Sequence, residues 1–325
     1  MEAPELEKDQ TPDGNVVVAG SIVAQPTLFS SGALHLRDLD SLIRFQSRQA
    51  TSGLLVAGSV GEGWSLSSDE LGRLVGRAVE SAARHSAFRQ HVYAGISQID
   101  SNRARDAAIT AVHAGAEALF LHAPSFVRAT DEGLVRHFQF IAEGLPTRTP
   151  LVLVNEPMRT GTDLHPALAR RIFRAIPQFV AHCEGIGHPT RARTLASELP
   201  VPLLCSDDRM IGPYVRNGAV GALSAVAGLV PAEVARLIVE AQSSGVRAAR
   251  IADGLERNLA PLVDALRVAT SPVGLKEALF ALEAIQSAEM RPPLARLGDQ
   301  EQLAMRRALF NARLLIPEPQ ASRRA

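Results

Sequence analysis

ALFLHAPSFVRATDEGLVRHFQFIAEGLPTRTPLVLVNEP, residues 118–157, is the stretch that decides the fold. It opens on a short apolar run, ALFLHAP (118–124), and closes on another, LVLVNEP (151–157). Between them, DEGLVRHFQFIAEGL spaces its apolar residues at helical intervals. Both runs are near-continuously apolar rather than alternating, as expected of parallel strands covered on their outer face by helices. Parallel neighbours need a crossover, and a helix of this length supplies one of the right-handed kind.

The same unit recurs on both sides. Strand-like runs stand at 16–27 (VVVAGSIVAQPT), 53–59, 91–97, 118–124, 151–157, 179–185, 202–208 and 219–228. Amphipathic stretches lie between them, among them 36–50, SSDELGRLVGRAVESAARH with a serine–acid start resembling a helix cap, and PAEVARLIVEAQSSG. Eight strand–helix units in order predict an α/β fold, a closed (β/α)8 TIM barrel over 16–246. Helical patterns at about 249–268, 272–287 and 298–313 predict a C-terminal helical appendage over 247–315. The ends, 1–15 and 316–325, read as disordered tails. A doubly wound open sheet is the competing architecture, but no glycine-rich phosphate fingerprint follows PTLFSSG.

Thirty-four basic residues balance thirty-four acidic ones in 325. That leaves no electrostatic case for nucleic acid or a membrane surface as partner. No apolar run approaches the roughly 20 residues of a bilayer span, and the first fifteen residues are polar and acidic. Neither a signal peptide nor an anchor is expected, and the cytoplasm is the expected compartment. Two cysteines, Cys183 and Cys205, cannot build a disulfide framework. Lysine is nearly absent: Lys8 and Lys276 are the only two, so amine chemistry has two candidates, because arginine stays protonated.

In a barrel of this kind the chemistry sits where the strands end. Those positions are Gly58-Ser59-Val60-Gly61-Glu62-Gly63, His122-Ala123-Pro124-Ser125-Phe126, Asn155-Glu156-Pro157-Met158-Arg159, His182-Cys183-Glu184-Gly185 and Cys205-Ser206-Asp207-Asp208. Seven motifs fall here in consistent order: GSIVAQPT, GSVGEG with SLSSDE behind it, PSFVRATDEGLVRHF, NEPMRTG, CEG, SDD and NGAVGALSAVAG. Together they resemble the dihydrodipicolinate synthase / N-acetylneuraminate lyase family of class I aldolases, over roughly 16–315.

The resemblance implies a mechanism. A lysine on the sixth strand forms a Schiff base with pyruvate or another 2-oxo acid, and needs a partly neutral amine to do so. A tyrosine ending the fifth strand, a hydroxyl of the GxxGE loop and a tyrosine from a neighbouring subunit relay protons. An arginine after the fifth strand holds carboxylates. This chain keeps the frame and departs at the reacting groups: Cys183 stands at the lysine position, Val154 at the tyrosine position, and Ser125 and Phe126 at the usual tyrosine pair. Ser59 keeps the first loop hydroxyl, Val60 replaces the second, and Arg159 is retained. Loss of nucleophile and relay together points to natural divergence, and no residue is catalytic by the family mechanism. Lys8 falls in the tail and Lys276 in the appendage, where a structural role is expected.

Other chemistry remains open. Cys183 and Cys205 are either inward-facing thiols, with His122 as a base for Cys183, or small apolar fillers; the second is favoured. His182 should face the other side of its strand. Glu156 shares a side with Val154 and is expected either to pair with Arg159 or to act as a base. Asp207 reads as a ligand contact or loop anchor, Glu62 as a brace of its turn, and Trp64 as a packing residue. Ser59, Val60, Arg159 and Asp207 form the expected ligand site for a small carboxylate or 2-oxo acid. No metal site and no cofactor is expected. Two functions compete: a catalytically silent binder of such an acid, or a lyase or hydratase using Glu156, His122 or Cys183. By resemblance the chain forms a homodimer or homotetramer, with Phe126 at an interface.

Overall fold

Eight short apolar runs become eight parallel strands that close on themselves. The structure is a computed structural model and describes residues 18–85 and 90–314. The tails expected to be disordered, 1–15 and 316–325, lie outside these residues. The barrel strands are β1 (Gly20–Ala24), β2 (Gly53–Val56), β3 (His91–Ile96), β4 (Ala118–His122), β5 (Leu151–Asn155), β6 (Phe179–Glu184), β7 (Leu203–Cys205) and β8 (Ala219–Ser224). Each pairs with its sequence neighbour and β8 pairs with β1, which makes a (β/α)8 TIM barrel without open edges. Strand residues are buried on both faces almost throughout, the physical reason that they read as unbroken apolar runs.

The outer layer follows the strands in order: α1 (Leu36–Gln46), α2 (Ser68–His85), α3 (Ser101–His113), α4 (Asp131–Glu143), α5 (Pro166–Ala175), α6 (Pro189–Glu198), the five-residue α7 (Ile211–Val215) and α8 (Pro231–Gln242). Their starts are chemically marked. Ser67 and Glu70 cap α2 reciprocally, the Ser67 amide donating to Glu70 Oε2 (3.0 Å) and the Glu70 amide to Ser67 Oγ (3.2 Å). Thr130 Oγ1 accepts from the Gly133 amide at the start of α4, and Asp100 does the same for α3. Three more helices follow, α9 (Val246–Leu266), α10 (Val273–Ala281) and α11 (Asp299–Asn311), packed on one another and on α8.

One local expectation needs correction. The helix predicted over 272–287 stops at Ala281, because Glu283 takes a left-handed conformation (φ 57°) and the chain turns inward to bury Ile285 and Ala288. The loop after β1 carries a small hairpin of Phe29–Ser30 with Ala33–Leu34, its turn made by Ser31 and Gly32 at positive φ.

What positions the site is the seat of the GxxGE loop. A Cβ on Gly95, in β3, would lie 2.4 Å from Gly58 Cα, so the loop rests directly on backbone there.

Candidate functional site at the barrel mouth

Strand register sets the floor of the site. His122 is level with Val154 across β4–β5, and Val154 with Cys183 across β5–β6. In-register parallel neighbours point to the same face, so these three buried side chains form one inward row. Asn155 and Glu184, one residue on, face outward. The Asn155 amide donates to Glu184 (3.0 Å) and Asp163 (2.9 Å), and Arg191 Nε donates to Glu184 (2.9 Å). His182 also points outward, packing edge-on against Phe173 of α5.

The same register corrects the expectation of two inward thiols. Cys205 is level with Glu184, not with Cys183, whose partner is Leu204. Cys205 therefore faces the helix layer, with its Sγ donating to the Asp207 carbonyl (3.3 Å), while Cys183 faces the barrel axis. Burial, reinforced by the negative charge of Glu156, pushes the Cys183 thiol well above its ordinary value, and the Ser206 hydroxyl only partly offsets this. The Cys183 thiol therefore stays protonated at neutral pH.

Above the row opens a cavity of about 550 Å³. Gly58, Ser59, Val60 and Gly61 of the loop after β2 line it, with Glu156 and Arg159 after β5 and Ser206, Asp207 and Asp208 after β7. Pro157 starts a single helical turn, Pro157–Thr160, that folds Arg159 back over Glu156. Arg159 Nε lies 3.1 Å from Glu156 Oε2, and His122 Nε2 lies 3.5 Å from the same oxygen. Burial alone would raise the Glu156 carboxyl, but the His122 ring, the Arg159 guanidinium and the Ser59 hydroxyl outweigh it and hold the group down at about 2. Glu156, His122, Arg159 and Ser59 are thus brought together, an ionised carboxylate between an imidazole and a guanidinium beside an opening.

Asp207 is a loop anchor that also borders the cavity, since its Oδ1 accepts from Arg267 Nη1 (3.0 Å) and from the Arg209 amide (3.0 Å). Sequence reasoning missed its neighbour Asp208. Burial raises that carboxyl to about 6, although the Ser224 hydroxyl (2.5 Å) and the Val226 amide (3.1 Å) both donate to it. The only signal was the second acid of SDD. Arg267, Val263, Leu266 and Leu275 also line the cavity from the appendage, and nothing in their local sequence marks them.

Lys276 does not reach this cavity; its neighbour Leu275 does. The amine is fully buried, donates to Glu62 Oε1 and to the Glu289 carbonyl (2.9 Å), and sits over the Phe29 ring. Desolvation lowers it below an ordinary lysine, opposed by the Glu62 charge. Glu62 Oε2 accepts from the Arg291 amide (3.3 Å), so Glu62 ties its turn to the appendage. Lys8 lies outside the described residues. Two aromatic expectations meet different outcomes. Trp64, expected to pack, is 43% exposed and does not line the cavity. Phe126 is 96% exposed at positive φ (72°), away from the cavity lining. Among the described residues no group of three or more His, Cys, Asp or Glu side chains is placed to hold a metal ion, and no helix is long and apolar enough to cross a membrane.

Comparison with known proteins agrees with this fold. The 4-hydroxy-tetrahydrodipicolinate synthase of Persephonella marina is 32% identical over 280 residues, 85% of this chain and 92% of that protein. The enzyme of the same name from Synechococcus sp. is 34% identical over 305 residues, 93% of this chain and 95% of its own. The dihydrodipicolinate synthase of Aquifex aeolicus superposes with a TM-score of 0.85 at 27% identity, over 91% of this chain and 99% of that one. The chloride-inhibited Acinetobacter baumannii synthase, solved in complex with pyruvate, does so with 0.85 at 27%, over 92% and 100%. The dihydrodipicolinate synthetase family model matches residues 17–312. The chain belongs to that family.

Proposed function

We propose that this family member binds a small carboxylate, 2-oxo acids among them, in the barrel mouth and does not form the Schiff base by which class I aldolases work. The observation that carries this reading is the floor of the cavity: His122, Val154 and Cys183 occupy the inward row, and the one lysine among the described residues is spent on Glu62 and the Glu289 carbonyl. Without a neutral amine, a ketone has nothing to condense with, and the iminium that acidifies its neighbouring methyl group is not made. Arg159 keeps a planar fork at the opening, suited to a carboxylate. Reaction with pyruvate and borohydride followed by intact-mass measurement tests the reading directly. The mass is expected to stay that of the unmodified chain, and a reduced pyruvyl adduct sinks the proposal. In a thermal-shift panel of carboxylates, stabilisation is expected in wild type and not in Arg159→Ala.

A second reading rests on the contact between His122 and Glu156. A carboxylate paired with an imidazole can pass a proton to and from a bound hydroxy or oxo acid, giving a lyase or hydratase with no covalent intermediate. The raised Cys183 thiol counts against a nucleophilic role for it within this reading. If such turnover exists, Glu156→Gln is expected to lower kcat by about 100-fold or more, and unchanged turnover removes Glu156 from the mechanism. The chain is further proposed to act as a cytoplasmic homodimer or homotetramer, with the exposed Phe126 at a subunit contact.

A further inference from the structure

We propose that a second cleft, behind the barrel mouth, binds a small amphipathic monocarboxylate, its aliphatic body on the cleft floor and its anionic end on Arg257. This site is separate from the carboxylate pocket of the mouth and does not depend on it.

The cleft lies between barrel and appendage, where α9 meets α7 and α8, and has a volume of about 460 Å³. Glu256, Leu259, Ala260, Val263 and Asp264 border it from α9, at the helical spacing that puts them on one face. Ile211 and Gly212 of α7 and Leu237 of α8 face them. The floor is apolar, for Ile211, Leu237, Leu259 and Val263 are all buried side chains. Pro261 interrupts the α9 ladder at this level, having no N–H to donate and a ring that crowds the Arg257 carbonyl.

Ion pairs fix both ends. At one, Glu256 lies against the Gly212 backbone, where a Cβ would come within 1.7 Å of Glu256 Oε1, and accepts from Arg216 Nη2 (2.8 Å). At the other, Arg209 Nε donates to Asp264 Oδ1 (2.9 Å). From Glu256 to Asp264 the helix rises about 12 Å, so the space suits one short extended chain.

Charge accounting names the polar end. Asp208, Arg209, Glu256, Arg257 and Asp264 are the ionisable groups on the wall. Asp208 accepts from Ser224 Oγ (2.5 Å) and the Val226 amide (3.1 Å), Glu256 from Arg216 and Asp264 from Arg209, so every carboxylate has its donor. Among the described residues the Arg257 guanidinium makes no hydrogen bond and no ion pair. An ammonium entering here meets no unspent carboxylate, whereas a carboxylate meets an unspent planar fork. Arg257 is exposed, so the fork contributes selectivity and the apolar floor most of the affinity. Asp208 and Val263 also line the mouth, which sets the two cavities back to back.

Calorimetric titration with octanoate, octanol and octylamine tests the assignment. Octanoate is expected to bind wild type and Arg159→Ala alike, which places it outside the mouth. Ala260→Trp fills the cleft from an exposed position and is expected to abolish octanoate binding. Arg257→Ala is expected to weaken octanoate about fivefold and leave octanol, already about fivefold weaker, unchanged. Absence of binding to wild type, its loss in Arg159→Ala or its survival in Ala260→Trp overturns the site. Octanol or octylamine binding as tightly as octanoate overturns the anionic end. If Ala260→Trp does not fold, Arg257→Glu replaces it: octanoate is expected to weaken at least tenfold, and unchanged affinity overturns the proposal.

Discussion

Lys276 and Glu62 are 214 residues apart in the chain, fully buried, and bonded to each other. Removing one partner of such a pair leaves the other charge in a medium that cannot solvate it. Lys276→Met is therefore expected to cost about 3–5 kcal/mol, and Lys276→Met with Glu62→Gln clearly less, in urea unfolding monitored by circular dichroism. A double variant as unstable as the single one would show that packing, not charge, is what Lys276 supplies. The pairing also explains why a lysine in a lysine-poor chain is unavailable for carbonyl chemistry. Its position in an amphipathic helix was readable from the sequence, but its partner was not, because no local pattern names a contact across that separation.

Among the elements, the GxxGE loop and the ends of β2, β3 and β5 hold the binding groups in place. Gly95 lets the loop lie against β3 backbone, and a Cβ there would also come 2.9 Å from the Ala57 carbonyl oxygen. Gly95→Ala is expected to destabilise by about 1–3 kcal/mol through overpacking and to shift Ser59, weakening any carboxylate ligand; paired unfolding and titration measurements check both. An unchanged affinity would separate the seat of the loop from ligand binding. The strands were legible because double-sided burial demands unbroken apolar residues. Their facing was half legible: alternation along one strand placed Val154 with Glu156, but alternation cannot set one strand against the next. Only register revealed that Cys205 turns away from Cys183.

At the scale of the whole molecule, acid stability is set by groups of opposite sense. Burial lowers His137 from 6.5 to about 4, so between these values the unfolded chain takes up a proton that the folded one refuses, and stability falls as pH drops through that window. Asp208, raised to about 6, works against this between its ordinary value of 3.8 and 6, because there the folded state binds the extra proton. The two oppose each other over pH 4–6. His137→Gln is expected to remove the first contribution, so that stability rises on acidification from pH 6 towards 4, read from urea midpoints at each pH; an unaltered pH profile would remove His137 from the account. Glu70, held at about 2 by its Arg291 partner, adds stability above its ordinary value of 4.5 that is lost as pH falls towards 2. The exposure of Phe126 belongs to this scale too. Sedimentation is expected to give a dimer or tetramer for wild type and a smaller species for Phe126→Ser, and a monomeric wild type would remove the proposed contact.

By itself the amino-acid order determined the barrel, the strand ends that carry chemistry, and the identities Cys183, Val154, Ser59 and Arg159 at those ends, because apolar periodicity and motif spacing are properties of neighbouring residues. Tertiary structure alone decided that His122 lies beside Glu156, that Asp208 and Arg267 join the cavity, and that Lys276 is held away from it. Those facts are distances between segments far apart in the chain, and closing the barrel is what brings them within reach of one another.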